Sequence, residues 1–142
     1  MPVACYTVSS TFVKNEAMVE LQINANCKNS PRKEFLKAFN TAFAEADVSF
    51  IEANLDDGVV WTMVGNWEAT GKAAVLEKVG SMAASPAKKL VLQTVITHGR
   101  DASASGEMHM ASGEVYGFCD VYTFAKTTGT MLKSITSYVI EI

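Results

Sequence analysis

Cysteine is scarce in this chain. Cys5, Cys27 and Cys119 form an odd set with no CxxC or Cys/His spacing, which argues against a zinc knuckle. The simplest reading is reduced thiols in a cytoplasmic protein. Cys119 is either a redox thiol or a buried packing group. Clustered positive charge is missing too. No basic run exceeds a pair such as Arg32-Lys33 or Lys88-Lys89, and the net charge is −3, so no nucleic-acid surface is expected. No apolar run reaches the roughly 18 residues of a membrane-spanning helix. The start, MPVACYTVSS, lacks the basic and long apolar regions of a secretory signal. A nucleophile elbow, a phosphate-cradling glycine loop and a dinucleotide fingerprint are absent, and no cofactor is expected. The two histidines, His98 and His109, show no HxH or HxxxH spacing, so no metal is expected. Neither an internal repeat nor a low-complexity linker is visible.

What remains is a globular composition. Hydrophobic residues make up 49% and charged residues 19% of 142 positions, which suits one domain with a sizeable core. Residues 1–10 read as an arm. Thr11–Cys27 reads as a helix through Ala17, Leu21 and Ala25, although VELQI also alternates like a strand. Asn29-Ser30-Pro31 restarts the chain, with Ser30 as cap and proline at the first helical position. Over Pro31–Ala46, residues Phe35, Leu36, Phe39, Ala42, Phe43 and Ala46 follow a helical period. Lys33, Lys37, Asn40, Thr41 and Glu45 fall on the wet side. Asp47 caps a short helix over Val48–Leu55, and Asp56-Asp57-Gly58 is read as a turn.

Val59–Val64 is a strand, ended by Gly65-Asn66. Gly71–Ala83 is a third helix, with Thr70 as its cap. From there the pattern turns to strands: Lys88–Thr97, Ala102–Met110, Val115–Ala125 and Met131–Ile142, joined by short turns. Helices first and a meander afterwards indicate an α+β fold.

The stretch Glu114–Ala125, EVYGFCDVYTFA, is apolar and aromatic except for one carboxylate, Asp120. Such a strand is buried on both faces or wraps a cavity. A charge there must be hydrogen-bonded, neutralised or used. Phe118 and Tyr122 share its face by strand alternation.

The layout resembles the nuclear transport factor 2-like superfamily, with its ketosteroid isomerase, epoxide hydrolase, dehydratase and SnoaL-like polyketide cyclase branches. The matching stretches are FLKAFNTAFAEAD, LDDGVVWTMVG, TGKAAVLE, GFCDVYTFA and ITSYVIEI, in that order. The resemblance covers residues 31–142 as one SnoaL-like domain and leaves 1–30 as an N-terminal arm and extra helix. It implies a cone-shaped α+β barrel, with the N-terminal helices packed in a strongly curved mixed or antiparallel sheet. It also implies a conical pocket for a small apolar molecule and homodimers through the outer sheet face.

In the isomerase pattern, the tyrosine position falls on Phe39 and the base position on Thr62. Only the late aspartate survives, as Asp120, so ketosteroid isomerase activity is not supported. The expected site is therefore Asp120, with His98 as a second catalytic candidate. Phe39, Trp61, Thr62, Phe118, Tyr122, Ile135 and Val139 are the expected ligand contacts. Trp61 and Thr62 point opposite ways in a regular strand, so both face the cavity only if a bulge intervenes. His109 reads as a surface or interface residue, and Trp67 as core or dimer packing. The leading expectation is a small-molecule-binding protein. The alternatives are a cofactor-independent isomerase, cyclase or lyase using Asp120 as general acid/base, and a dimerisation module with a filled cavity.

Overall fold

The computed structural model of the protein describes residues 18–142. The expected arm and the first part of the Thr11–Cys27 helix lie outside the described residues. The rest of that stretch is not helical. Glu20–Ile23 is a strand, β1, running parallel to β4 (Ala87–His98). The alternation of VELQI wins over the helical stripe because the edge of β4 supplies a ladder. Past the strand, the Asn24 amide still donates to the Leu92 carbonyl at 2.9 Å. Tertiary pairing overrides a weak local preference. Residues 20–23 thus share the sheet of the domain instead of forming an extra helix.

Helix α1 spans Pro31–Glu45. Ser30 accepts from the Lys33 amide, Pro31 opens the first turn, and Ala46 closes the helix in the left-handed region. Phe35, Leu36, Phe39 and Ala42 are buried, as their period requires. Asn40 is buried with them, contrary to its expected place on the wet side. It lies four residues after Leu36 and four before Ala44, and that row completes the inward face. Asp47 caps the short α2, Val48–Ala53, through the Phe50 amide.

The expected turn at Asp56-Asp57-Gly58 is part of strand β2, Leu55–Met63. The register slips between Leu55 and Val60, so these residues form an irregularity within the strand. Asp56 holds it by accepting from the Gly58 amide at 3.0 Å. Trp67–Thr70 is a further strand, β3, which pairs antiparallel with β2. Thr70 ends β3, and Gly71 takes the cap position of α3 (Lys72–Ala83) with no side-chain cap bond. The remaining strands are β5 (Asp101–Met110), β6 (Val115–Phe124) and β7 (Leu132–Glu141).

The described residues form one seven-stranded mixed sheet, in the order β1-β4-β5-β6-β7-β2-β3. The β1–β4 and β2–β7 pairs are parallel and the others antiparallel. Among the described residues the sheet stays open, with β1 and β3 as its edges. The helices lie against its inner face. A bulge between Leu92 and Thr94 in β4 switches the strand's parity, so Leu90, Leu92 and Val95 all point inward. Opposite it stands Gly106, where a Cβ would run into the Val91 carbonyl. The packed end of the sheet is tied by Arg32. Its guanidinium donates to the carbonyls of Gly129 (3.0 Å), Gly99 (2.6 Å) and Lys126 (2.6 Å). It also stacks 4.0 Å from the Phe124 ring centre.

Candidate functional site

The inner face of the sheet reads as layers. Ala102, Tyr122 and Ile135 align across β5, β6 and β7, next to Trp61 of β2. All four are buried. One layer further, Ala104, Asp120, Ser137 and Met63 align in the same way. Beyond them come Gly106, Phe118 and Val139. Below Asp120 the layers are packed solid. Above it lies a cavity of about 430 Å³, within the usual range for small-molecule sites. Phe43, Trp61, Tyr116 and Phe118 form aromatic walls, and Met63 and Met108 add flexible ones. The end of α3 and the start of β4 border the cavity through Met82 and Pro86.

Asp120 sits at the floor of this cavity within a hydrogen-bonded cluster. Tyr122 donates its hydroxyl to Asp120 Oδ2 at 3.2 Å. Asn40 Nδ2 donates to the Tyr122 oxygen at 3.2 Å and to the Leu36 carbonyl at 2.8 Å. Trp61 Nε1 donates to Ser137 Oγ at 2.9 Å. Burial pushes the Asp120 carboxyl up from 3.8 to about 6, while bonds from Ser137 and Tyr122 pull it partly back. Burial, and then the neighbouring Asp120 charge, hold the Tyr122 phenol well above its ordinary value. Tyr122 is thus a neutral donor at any physiological pH.

The expected contacts divide cleanly. Trp61, Phe118, Val139 and Asp120 line the cavity. Tyr122 touches Asp120 from below. Phe39 and Ile135 are core residues, and Phe39 packs edge-on against Tyr122 with ring centres 6.2 Å apart. Thr62 does not face the cavity. The β2 irregularity ends before Val60, so Trp61 points in and Thr62 points out, bonding Glu68 at 3.0 Å. His98 is not brought to Asp120 either. It is exposed at the last pair of the β4–β5 ladder, opposite Asp101, beyond the Tyr122 and Phe124 layers. His109 lies on the outer face beside Glu107, at 3.0 Å. Trp67 packs edge-on against Trp61, with Lys78 over its ring.

Asn40 and Ser137 were not among the expected site residues. A helical wheel drawn through Leu36 and Ala44 would have placed Asn40 inward. Ser137 follows from strand alternation with Ile135 and Val139. Among the described residues, no group of three or more His, Cys, Asp or Glu side chains converges to hold a metal.

A SnoaL-like domain model matches residues 36–129, and the chain belongs to that family. Solved structures agree on the fold. An NTF2-like protein of unknown function from Cytophaga hutchinsonii is 24% identical, with a TM-score of 0.58 over 77% of this chain and 99% of its own. The epoxide hydrolase/cyclase-like enzyme SalBIII, of pyran ring formation in the polyether salinomycin, is 16% identical, with a TM-score of 0.67 over 81% and 95%. An LEH-like epoxide hydrolase of M. tuberculosis is 14% identical, with a TM-score of 0.63 over 75% and 80%. No curated protein matches the chain.

Proposed function

We propose that the protein binds a small, mostly apolar organic molecule in the cavity above Asp120, with that carboxyl as its polar anchor. The observation that carries this is the change from packed layers to open space at the level of Asp120. A carboxyl with purely structural duties would be sealed in on all sides. Here one side meets an aromatic-walled space large enough for a bicyclic molecule. Naphthylethanol is a suitable neutral probe, followed by calorimetry. Met108→Trp fills the cavity from β5 and is expected to abolish binding with little change in the urea midpoint. Equal binding by that variant and the parent would refute the reading.

A second reading is favoured by the position of the Asp120 titration near 6. Above that pH the carboxylate accepts a proton, and below it the acid returns one. Asp120 then serves as general acid/base for cofactor-independent proton transfer next to a carbonyl. It removes the α-proton to leave an enolate, the carboxylic acid so formed exchanges its proton with solvent, and it then returns one to carbon or, giving the enol, to oxygen. The measurement is deuterium exchange into naphthylacetone by NMR. Parent protein should accelerate it and Asp120→Asn should not.

The outer face fits a homodimer. Ile96, Val121, Tyr138 and Ile140 are exposed there, a concentration of apolar surface that a second copy would cover. Sedimentation should give twice the chain mass, and Tyr138→Asp with Ile140→Asp should reduce it to one.

A further inference from the structure

Every polar hydrogen around Asp120 has a fixed direction. The Leu36 carbonyl can only accept, so Asn40 turns its amino group toward it, at 2.8 Å. The second amino hydrogen goes to the Tyr122 oxygen, at 3.2 Å. Tyr122 therefore receives from Asn40 and has one proton left, which it donates to Asp120 Oδ2. On the other side, an indole N–H can only donate. Trp61 donates to Ser137 Oγ at 2.9 Å, so the Ser137 proton is free for Asp120, its direct cross-strand neighbour. Two obligate donors, one on α1 and one on β2, thus orient two hydroxyls onto a single carboxylate. The cluster is wired to receive positive charge at that point.

Two hydroxyl donors occupy only part of the roughly four acceptor positions of a carboxylate. The remainder faces the cavity, where none of the described residues supplies a positive charge. Asp120 is the only charged side chain among the described residues that line the space. Among the described residues, no Lys, Arg or His belongs to the wall. The rings of Phe43, Trp61, Tyr116 and Phe118 line the space above it, and aromatic rings attract cations to their faces.

We propose that the cavity is specific for an apolar amine, whose ammonium group meets Asp120 while its hydrocarbon body fills the aromatic and methionine walls. This rests on the reading of the cavity as a ligand site. A neutral alcohol can donate to the same ionised oxygen, but it carries no positive charge to balance the buried negative one. A ketone brings only an acceptor to an acceptor. A carboxylate ligand brings like charge into a space with no cation to balance it.

The test is a matched set of naphthylethylamine, naphthylethanol and naphthylacetate, titrated calorimetrically at about pH 8. Asp120 is then ionised and the amine protonated. The amine is expected to bind about 10- to 100-fold more tightly than the alcohol, because it adds an opposite charge at short range in a partly desolvated site. The acid should bind least. In Asp120→Asn the amine should lose that advantage, while the alcohol, which loses only the charge assistance of one bond, changes by about tenfold or less. The parent comparison stands alone should the variant not fold. Alcohol binding as tight as amine binding overturns the amine specificity and leaves the cavity reading intact. Failure of all three to bind overturns both.

Discussion

Replacing Asp120 by asparagine keeps the shape of the side chain and removes its charge. The folded protein holds this carboxyl at about 6, against 3.8 for a free aspartate. The difference is about 2 pH units, and each unit is worth about 1.4 kcal/mol, so ionising Asp120 in the folded state costs up to about 3 kcal/mol. The folded state binds the proton more tightly than the unfolded state. The contribution to stability is therefore fully present below pH 3.8 and lost as pH rises to about 6, after which it stays lost. Asparagine is never ionised and escapes this loss. Its oxygen still accepts from Tyr122, and its amino group can donate to Ser137 Oγ. Since the residue opens on the cavity, water recovers part of the cost, and a gain of about 1–3 kcal/mol at neutral pH is the expected range. Urea unfolding of both proteins between about pH 4 and pH 8 measures it. The variant should be more stable above pH 6, and the gap should close or reverse near pH 4. A constant gap across the whole range would show that Asp120 does not titrate as described. Carboxylates elsewhere titrate in both proteins and cancel in the difference.

Three further perturbations probe the parts that hold the site. Arg32→Ala should cost about 1–3 kcal/mol by losing three carbonyl partners and the stack on Phe124. Arg32→Lys should recover little, because one ammonium cannot span the three carbonyls; the urea midpoint reports both. Gly106→Ala should destabilise by about 2 kcal/mol or more, since its methyl meets the Val91 carbonyl, a main-chain atom that cannot step aside. Thermal unfolding of that variant decides it. Tyr122→Phe should cost about 1–3 kcal/mol by leaving the buried Asn40 amide short of a partner. It should also move the Asp120 titration above about 6 by removing a donor, as read from its carboxyl carbon by NMR.

Most of the architecture was legible because it depends on local rules. The Ser30-Pro31 start and the phenylalanine period of α1 act within a few residues of chain. So do the glycines between β4, β5 and β6. The errors fall where distant partners decide. Residues 20–23 became a strand because β4 offered an edge. Asp56-Asp57-Gly58 became an irregularity within a strand because β7 lies beside it. At the site, alternation put Asp120, Phe118 and Tyr122 on one face, as β6 shows. Family analogy carried Thr62 inward, whereas strand parity keeps it out. His98 attracted attention as a rare titratable group, but rarity along the chain says nothing of distance in space. Asn40 and Ser137 were overlooked because their value lies in what they touch, and those contacts link α1 to β6 and β2 to β7.

The place of β7 in the sheet has a kinetic meaning. It follows every other described strand in the sequence, yet it lies between β6 and β2. The Trp61–Ser137 bond joins residues 76 positions apart. Closing so long a loop is slow, because its entropy is lost before any contact compensates. The β4–β5–β6 meander can zip locally, as can the β2–β3 hairpin, but they become one surface only when β7 docks between them. That step also brings Ser137 to Asp120 and the indole to Ser137. The binding cluster and the completed fold should therefore appear with a single rate constant in refolding experiments. An amine ligand present during refolding would slow unfolding without hastening the docking of β7.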